Sequence, residues 1–326
     1  MTQAAPFAEI WRGPFLESVH SGHAVVCDSS GQILQAWGDP DTVILPRSSA
    51  KMIQALPLIQ SGAADAYGLG PQHLALACAS HQAADLHVGI ISDWLKTLGL
   101  DDSAFRCGTA VPGDEAARNA LVCSDTQPCQ IHHECSGKHA GFLSVNAHMG
   151  GDADYEKPDH PVQRACLEAF ERVTGTTSPG FGIDGCSVPN FATTLHGMAR
   201  AMAHFAAAPD GSAEARLHQA MRLHPDLVAG ETRACTNLMR AMNGKVALKT
   251  GAEGFFIAIL PDQNIGVALK AACGTKRAAE CAITSILVKL GALDPNHPEA
   301  LKYRNAPIEN RRGIITGTLK PAAGFA

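Results

Sequence analysis

Apolar and polar residues alternate in two short runs near the start of the chain, HAVVCD at 23–28 and QILQAW at 32–37, joined through Ser-Ser-Gly. A period of two on either side of a turn predicts a hairpin. Three more runs of this kind, KVALKTG, GFFIAIL and NIGVALKAA, fall between 245 and 272, separated by Gly-Ala-Glu-Gly and Pro-Asp-Gln-Asn turns. Between the two groups the apolar spacing changes to three and four, which predicts helices over 84–98, 139–148, 161–173, 193–207, 213–223 and 233–242. One more amphipathic helix, 276–290, follows the last strand.

Isolated two- and three-stranded pieces would each leave an apolar face in water, so the termini are expected to build one sheet together. The short turns make its strands antiparallel. The expected class is therefore α/β of the α+β kind: a single catalytic domain over residues 1–326 with a helical insertion at about 49–243. A cleft beside the sheet is the natural place for a site.

Composition narrows the function classes. The chain has 46% apolar and 17% charged residues with a formal charge of −5, which fits a soluble globular protein and gives no basic surface for nucleic acid. No run approaches the roughly 18 apolar residues of a membrane span, and the N-terminus lacks a basic start followed by an apolar stretch. A cytoplasmic protein is the expectation. Eleven cysteines, an odd number spread from Cys27 to Cys281, point to reduced and mostly buried thiols.

The stretch PRSSAKMIQALPLI at 46–59 places two serines and a lysine ahead of an apolar run. Met52, Ala55, Leu56 and Ile59 share a helical face, so a helix should begin near Ser48, and Pro57 should kink or end it. Residues three apart stack on a helix, which brings the Lys51 amine within reach of the Ser48 hydroxyl. A serine hydroxyl is a weak nucleophile until a base takes its proton, and a lysine with a depressed pKa is such a base. A plain N-cap serine explains the same letters. The Lys249-Thr250-Gly251 sequence tips the balance, because S-x-x-K at a helix start with K-T-G on a strand is the pairing of serine β-lactamases and penicillin-binding proteins. Their third motif, S-D-N, is missing: Ser124-Asp125-Thr126 and Ser144-Val145-Asn146 are partial imitations.

LPRSSAKMIQALPLI, CASHQAADLHV at 78–88, CSGKHAGFL at 135–143, GIDGCSVPNFA at 182–192 and KTGAEG at 249–254 together resemble the rhizobial-type L-asparaginases, or asparaginase II family. That resemblance implies a fold similar to the serine β-lactamase and glutaminase group, homodimeric assembly, and two serine-lysine pairs: Ser48 with Lys51, and Ser80 with Lys249. It also implies a Zn2+ site at Cys135, Lys138 and Cys186. Read from the residues alone, two thiolates suit zinc, whereas a lysine ligand must first be deprotonated, and His132, His133 and His139 are chemically better donors nearby.

Asp184 fits either a turn or a contact with a substrate α-amino group. Arg47 fits a two-pronged contact with an α-carboxylate, and His139 a substrate contact or a structural role. The function expected from the resemblance is hydrolysis of L-asparagine to aspartate and ammonia through a serine acyl-enzyme. A glutaminase, a β-lactam-recognising hydrolase and a non-catalytic zinc-binding or thiol-sensing protein stand as alternatives.

Overall fold

A computed structural model describes residues 3–325. The chain divides into two compact units. The first comprises the residues up to Ser49, Thr193–Ala207 and those from Asn237 on; the second comprises Ala50–Ala192 and Ala208–Thr236.

The first unit is built on one antiparallel sheet of eight strands: β1 (Ala5–Arg12), β2 (Phe15–Asp28), β3 (Ile33–Trp37), β4 (Ala247–Gly251), β5 (Phe255–Leu260), β6 (Ile265–Ala271), β7 (Ala306–Glu309) and β8 (Ile315–Pro321). Their order is β7-β8-β1-β2-β6-β5-β4, and β3 pairs with the second half of β2. The N-terminal hairpin and the three later strands thus join as expected, through Val26 opposite Val267. Three strands of this sheet go beyond the sequence reading: β1, β7 and β8. β2 is also longer than the run at 23–28, because its first half pairs with β1. β5 is buried along its whole length, as a central strand covered on both faces must be.

Helix Leu195–Ala206 lies on this sheet against β6, β2 and β5. Gly266 allows the approach: a Cβ there would sit 2.0 Å from the Ala203 nitrogen and 2.3 Å from the Ala199 oxygen. Because that obstacle is helix backbone, Gly266→Ala should push the helix off the sheet and cost about 3 kcal/mol, the upper range for overpacking. Equilibrium denaturation checks this; a change under 1 kcal/mol would refute the close-packing account.

The second unit is helical, with Asp85–Thr97, Ser136–Met149, Pro161–Thr174 and Ala213–Leu223 at or near the expected bounds. The chain after Ser48 is more broken than expected. A 3-10 turn, Arg47–Ala50, leads into Lys51–Gln54, and Leu56–Gln60 restarts with Pro57 in its first turn. All of Lys51–Gln54 is buried, so the segment is enclosed and not amphipathic. No helix among the described residues is long and apolar enough to cross a membrane.

His218, on the Ala213–Leu223 helix, is buried, and its Nδ1 has no hydrogen-bond partner among the described residues. Burial lowers its pKa from 6.5 to about 4. Between those values the unfolded chain binds a proton that the folded chain refuses, so stability is lost as pH falls through this window. The loss is at most about 3 kcal/mol. A His218→Gln variant should show a flatter acid limb in melting temperature against pH; an unchanged limb would assign the acid sensitivity elsewhere.

Candidate functional site

Within the helical unit, three of the motif stretches meet around one amine. Lys51 is 1% exposed, and its Nζ donates to the Ala79 carbonyl, to Ser80 Oγ at 3.0 Å and to Cys135 Sγ at 3.1 Å. Ser80 is itself held by its backbone N–H, which donates to the Val228 carbonyl at 2.9 Å. The next residue, His81, lies 3.0 Å from Ser136 Oγ through Nε2 and stacks on His87. Burial first, then the charges around it, pushes the His81 pKa well below its usual range, so the ring is neutral.

A second buried cluster adjoins the first through Cys135. Lys138 Nζ lies 2.9 Å from Cys186 Sγ, and Cys135 and Cys186 share a hydrogen bond. Donation from Cys135, followed by the Lys138 charge and His139, holds Cys186 strongly toward the thiolate, while the same bond and burial push the Cys135 thiol up. Burial alone would lower the Lys138 pKa, but the two sulfurs more than offset it, and the amine is held as an ammonium beside the thiolate.

His139 is fully buried, and burial lowers its pKa to about 4. Its Nδ1 lies 2.8 Å from the Tyr155 hydroxyl, and its Nε2 has no hydrogen-bond partner among the described residues. Tyr155 was not legible as a site residue, since no sequence pattern links it to position 139.

The donor set fits a soft divalent metal. Two sulfurs and an amine converge in a dry setting, and a positive ion would replace the charge that Lys138 supplies as an ammonium. Among the described residues, one other group of metal-type donors converges: His133, Glu134 and Cys135, with ligand atoms within 4.8 Å of one another. His132 is turned to the Cys129 backbone, whose N–H donates to its Nδ1 at 3.1 Å. Asp184 shapes the turn that carries Cys186: its Oδ1 accepts from the Gly185 N–H at 2.7 Å, and its N–H donates to the Val188 carbonyl at 2.9 Å. Its carboxylate also contributes to holding Lys138 charged.

The sheet unit holds the remaining motif residues. Ser49 Oγ donates to the Lys249 carbonyl at 3.0 Å, and a Cβ on Gly251 would lie 2.7 Å from the Pro46 oxygen, so the K-T-G strand runs against the Pro46–Ser49 turn. Lys249 is fully buried, with its Nζ donating to the Thr250 carbonyl at 2.7 Å. Arg47 and Ser48 are half-buried on that turn.

Backbone strain marks the same stretches. Among the described residues, eight non-glycine residues have positive φ, and four lie in the motifs: Arg47 at 52°, Ala83 at 57°, Ser187 at 74° and Glu253 at 57°. Such conformations persist only where the surroundings enforce them, and they gather at functional sites.

No curated protein matches the chain in sequence. Among solved structures, a β-lactamase from Mycobacterium bovis is similar at 15% identity and TM-score 0.46, covering 83% of this chain and 95% of its own. Mglu in its Tris and glutamate form is similar at 10% identity and TM-score 0.49, over 90% of this chain and 64% of its own. An octameric penicillin-binding protein homologue from Pyrococcus abyssi shows 12% identity and TM-score 0.35, over 84% and 74%. Residues 8–321 match the family described as L-asparaginase II, and the chain belongs to that family.

Proposed function

We propose that the protein hydrolyses the side-chain amide of L-asparagine to L-aspartate and ammonia through a serine acyl-enzyme. The observation that carries this reading is the contact of the buried Lys51 amine with the Ser80 hydroxyl, in a chain of the L-asparaginase II family. Ser48, one helical turn before Lys51, is the nucleophile, and Lys51 is its base. Ser80 accepts from Lys51 and has a proton of its own to pass on, which suits it to relay a proton to the leaving ammonia. Lys249 contributes positive charge, Arg47 pairs with the α-carboxylate, and Asp184 and His139 contact the α-amino end.

Cys135, Lys138 and Cys186 would hold Zn2+, which when bound supplies a fixed positive charge that orients the substrate. Lys138 must give up its proton to serve as a ligand. The acyl chemistry runs on the serines and lysines. As in the family it resembles, the working form is taken to be a homodimer, which light scattering in solution checks.

The experiment is ammonia release measured in parallel with L-asparagine, L-glutamine and a chromogenic β-lactam. Asparagine should be preferred over glutamine, although one methylene in a pocket is worth only about 1–3 kcal/mol. Faster release from glutamine would replace the substrate assignment, and turnover of none would overturn the enzyme reading.

A further inference from the structure

Outside this site, the sheet unit carries a small cluster around Cys273. Its Sγ lies 3.3 Å from His20 Nδ1 and 3.2 Å from Thr275 Oγ1, and Arg277 Nε donates to His20 Nε2 at 3.1 Å. The arginine decides where the imidazole proton sits. A guanidinium only donates, so Nε2 is the acceptor and the single proton of a neutral ring is on Nδ1. Burial, then the Arg277 charge, lowers the His20 pKa and keeps the ring neutral. The Nδ1–H therefore donates to the sulfur.

Cys129 supplies the contrast. Its Sγ also lies 3.3 Å from an imidazole nitrogen, His132 Nδ1, but that nitrogen already accepts from the Cys129 backbone N–H. It has no proton to give, so the Cys129 sulfur receives no hydrogen bond from it. The two pairs have equal separation, but only the Cys273 sulfur is donated to by its imidazole.

Position along helices separates Cys273 from the other exposed thiol, Cys123. Cys273 lies just before Thr275, the N-cap of the 14-residue Lys276–Lys289 helix, whose dipole favours negative charge at that end. Cys123 is the last residue of the Glu115–Cys123 helix, where the dipole opposes it. The remaining eight cysteines are buried.

We propose that Cys273 is a peroxide-reactive surface thiol, set up by His20, Arg277 and the helix start. The sulfur attacks one oxygen of hydrogen peroxide; an S–O bond forms and the O–O bond breaks. The departing hydroxide takes the thiol's proton and leaves as water. Sulfur is oxidised by two electrons to sulfenic acid, and the peroxide is reduced.

The test uses the full chain, brief hydrogen peroxide exposure, a dione probe that traps sulfenic acid, and peptide mass spectrometry. Cys273 should be trapped first, roughly ten-fold faster than Cys129, as expected when one sulfur accepts a hydrogen bond from its imidazole and the other does not. It should also precede Cys123. This comparison needs no variant, and equal or faster trapping at Cys123 or Cys129 would overturn the proposal. His20→Phe, checked for fold by circular dichroism, should slow Cys273 to the Cys123 rate; an unchanged rate in a folded variant would equally overturn it.

Discussion

Lys51→Met should lose about a thousand-fold in kcat, within the range for removing a positioned acid-base group, while the protein still folds. Methionine matches the length of the buried stem but offers no proton and accepts none. The Ala79 carbonyl, Ser80 Oγ and Cys135 Sγ would each lose the amine that now reaches them. Orphaning a buried acceptor costs about 1–3 kcal/mol, which a domain of ordinary stability survives. Ser48→Ala should fall comparably, and Lys51→Met with Ser48→Ala should be no worse than either alone, because one proton-transfer unit is lost only once. Circular dichroism and a melting curve separate loss of chemistry from loss of fold. Near-normal turnover in folded Lys51→Met would remove this lysine from the mechanism.

Cys186→Ala should be the most destabilising single change around the proposed metal site. It deletes the thiolate that balances the Lys138 ammonium, 3% exposed and 2.9 Å from the sulfur, and breaking a buried pair from one side costs about 3–5 kcal/mol. Adding Lys138→Met should restore much of that loss, since no buried charge is then left alone. Zinc content should fall in both variants. In the milder Cys135→Ser variant, KM should rise more than kcat falls, as expected of a group that orients substrate. Unfolding curves, elemental analysis and kinetics before and after chelation measure these effects. Additive losses in the double variant would contradict the ion-pair account, and complete loss of turnover in metal-free protein at saturating asparagine would contradict the orienting role.

The sheet core and the long helices were legible because their apolar periods are regular. The added strands were hidden by proline and by local polarity. Pro6 breaks the pattern of β1, and it sits where β1 pairs with β2 alone; Pro307 lies in β7, the outer strand beside β8. Proline tolerates such positions because one side of the strand needs no N–H donor. The runs in β7 and β8 are short and surrounded by polar residues, so their pairing partners, not their own composition, make them strands. The motif letters Ser48, Lys51, Ser80, Cys135, Lys138, Cys186 and Lys249 were visible in the sequence. Their contacts were not. Ser80 is 29 positions from Lys51 and Cys135 is 84, and only the helical packing brings those atoms to 3.0 and 3.1 Å. Tyr155 and the Ala79 carbonyl had no signal at all, because a backbone oxygen and a lone tyrosine leave no pattern.

Catalysis as proposed passes through a covalent aspartyl intermediate on a serine. Rapid acid quench of the protein turning over L-asparagine, followed by intact-mass and peptide mass spectrometry, should show one added aspartyl group per chain, located on the peptide containing Ser48 and absent from Ser48→Ala. Full asparaginase turnover in a Ser48→Ala, Ser80→Ala double variant would contradict the account.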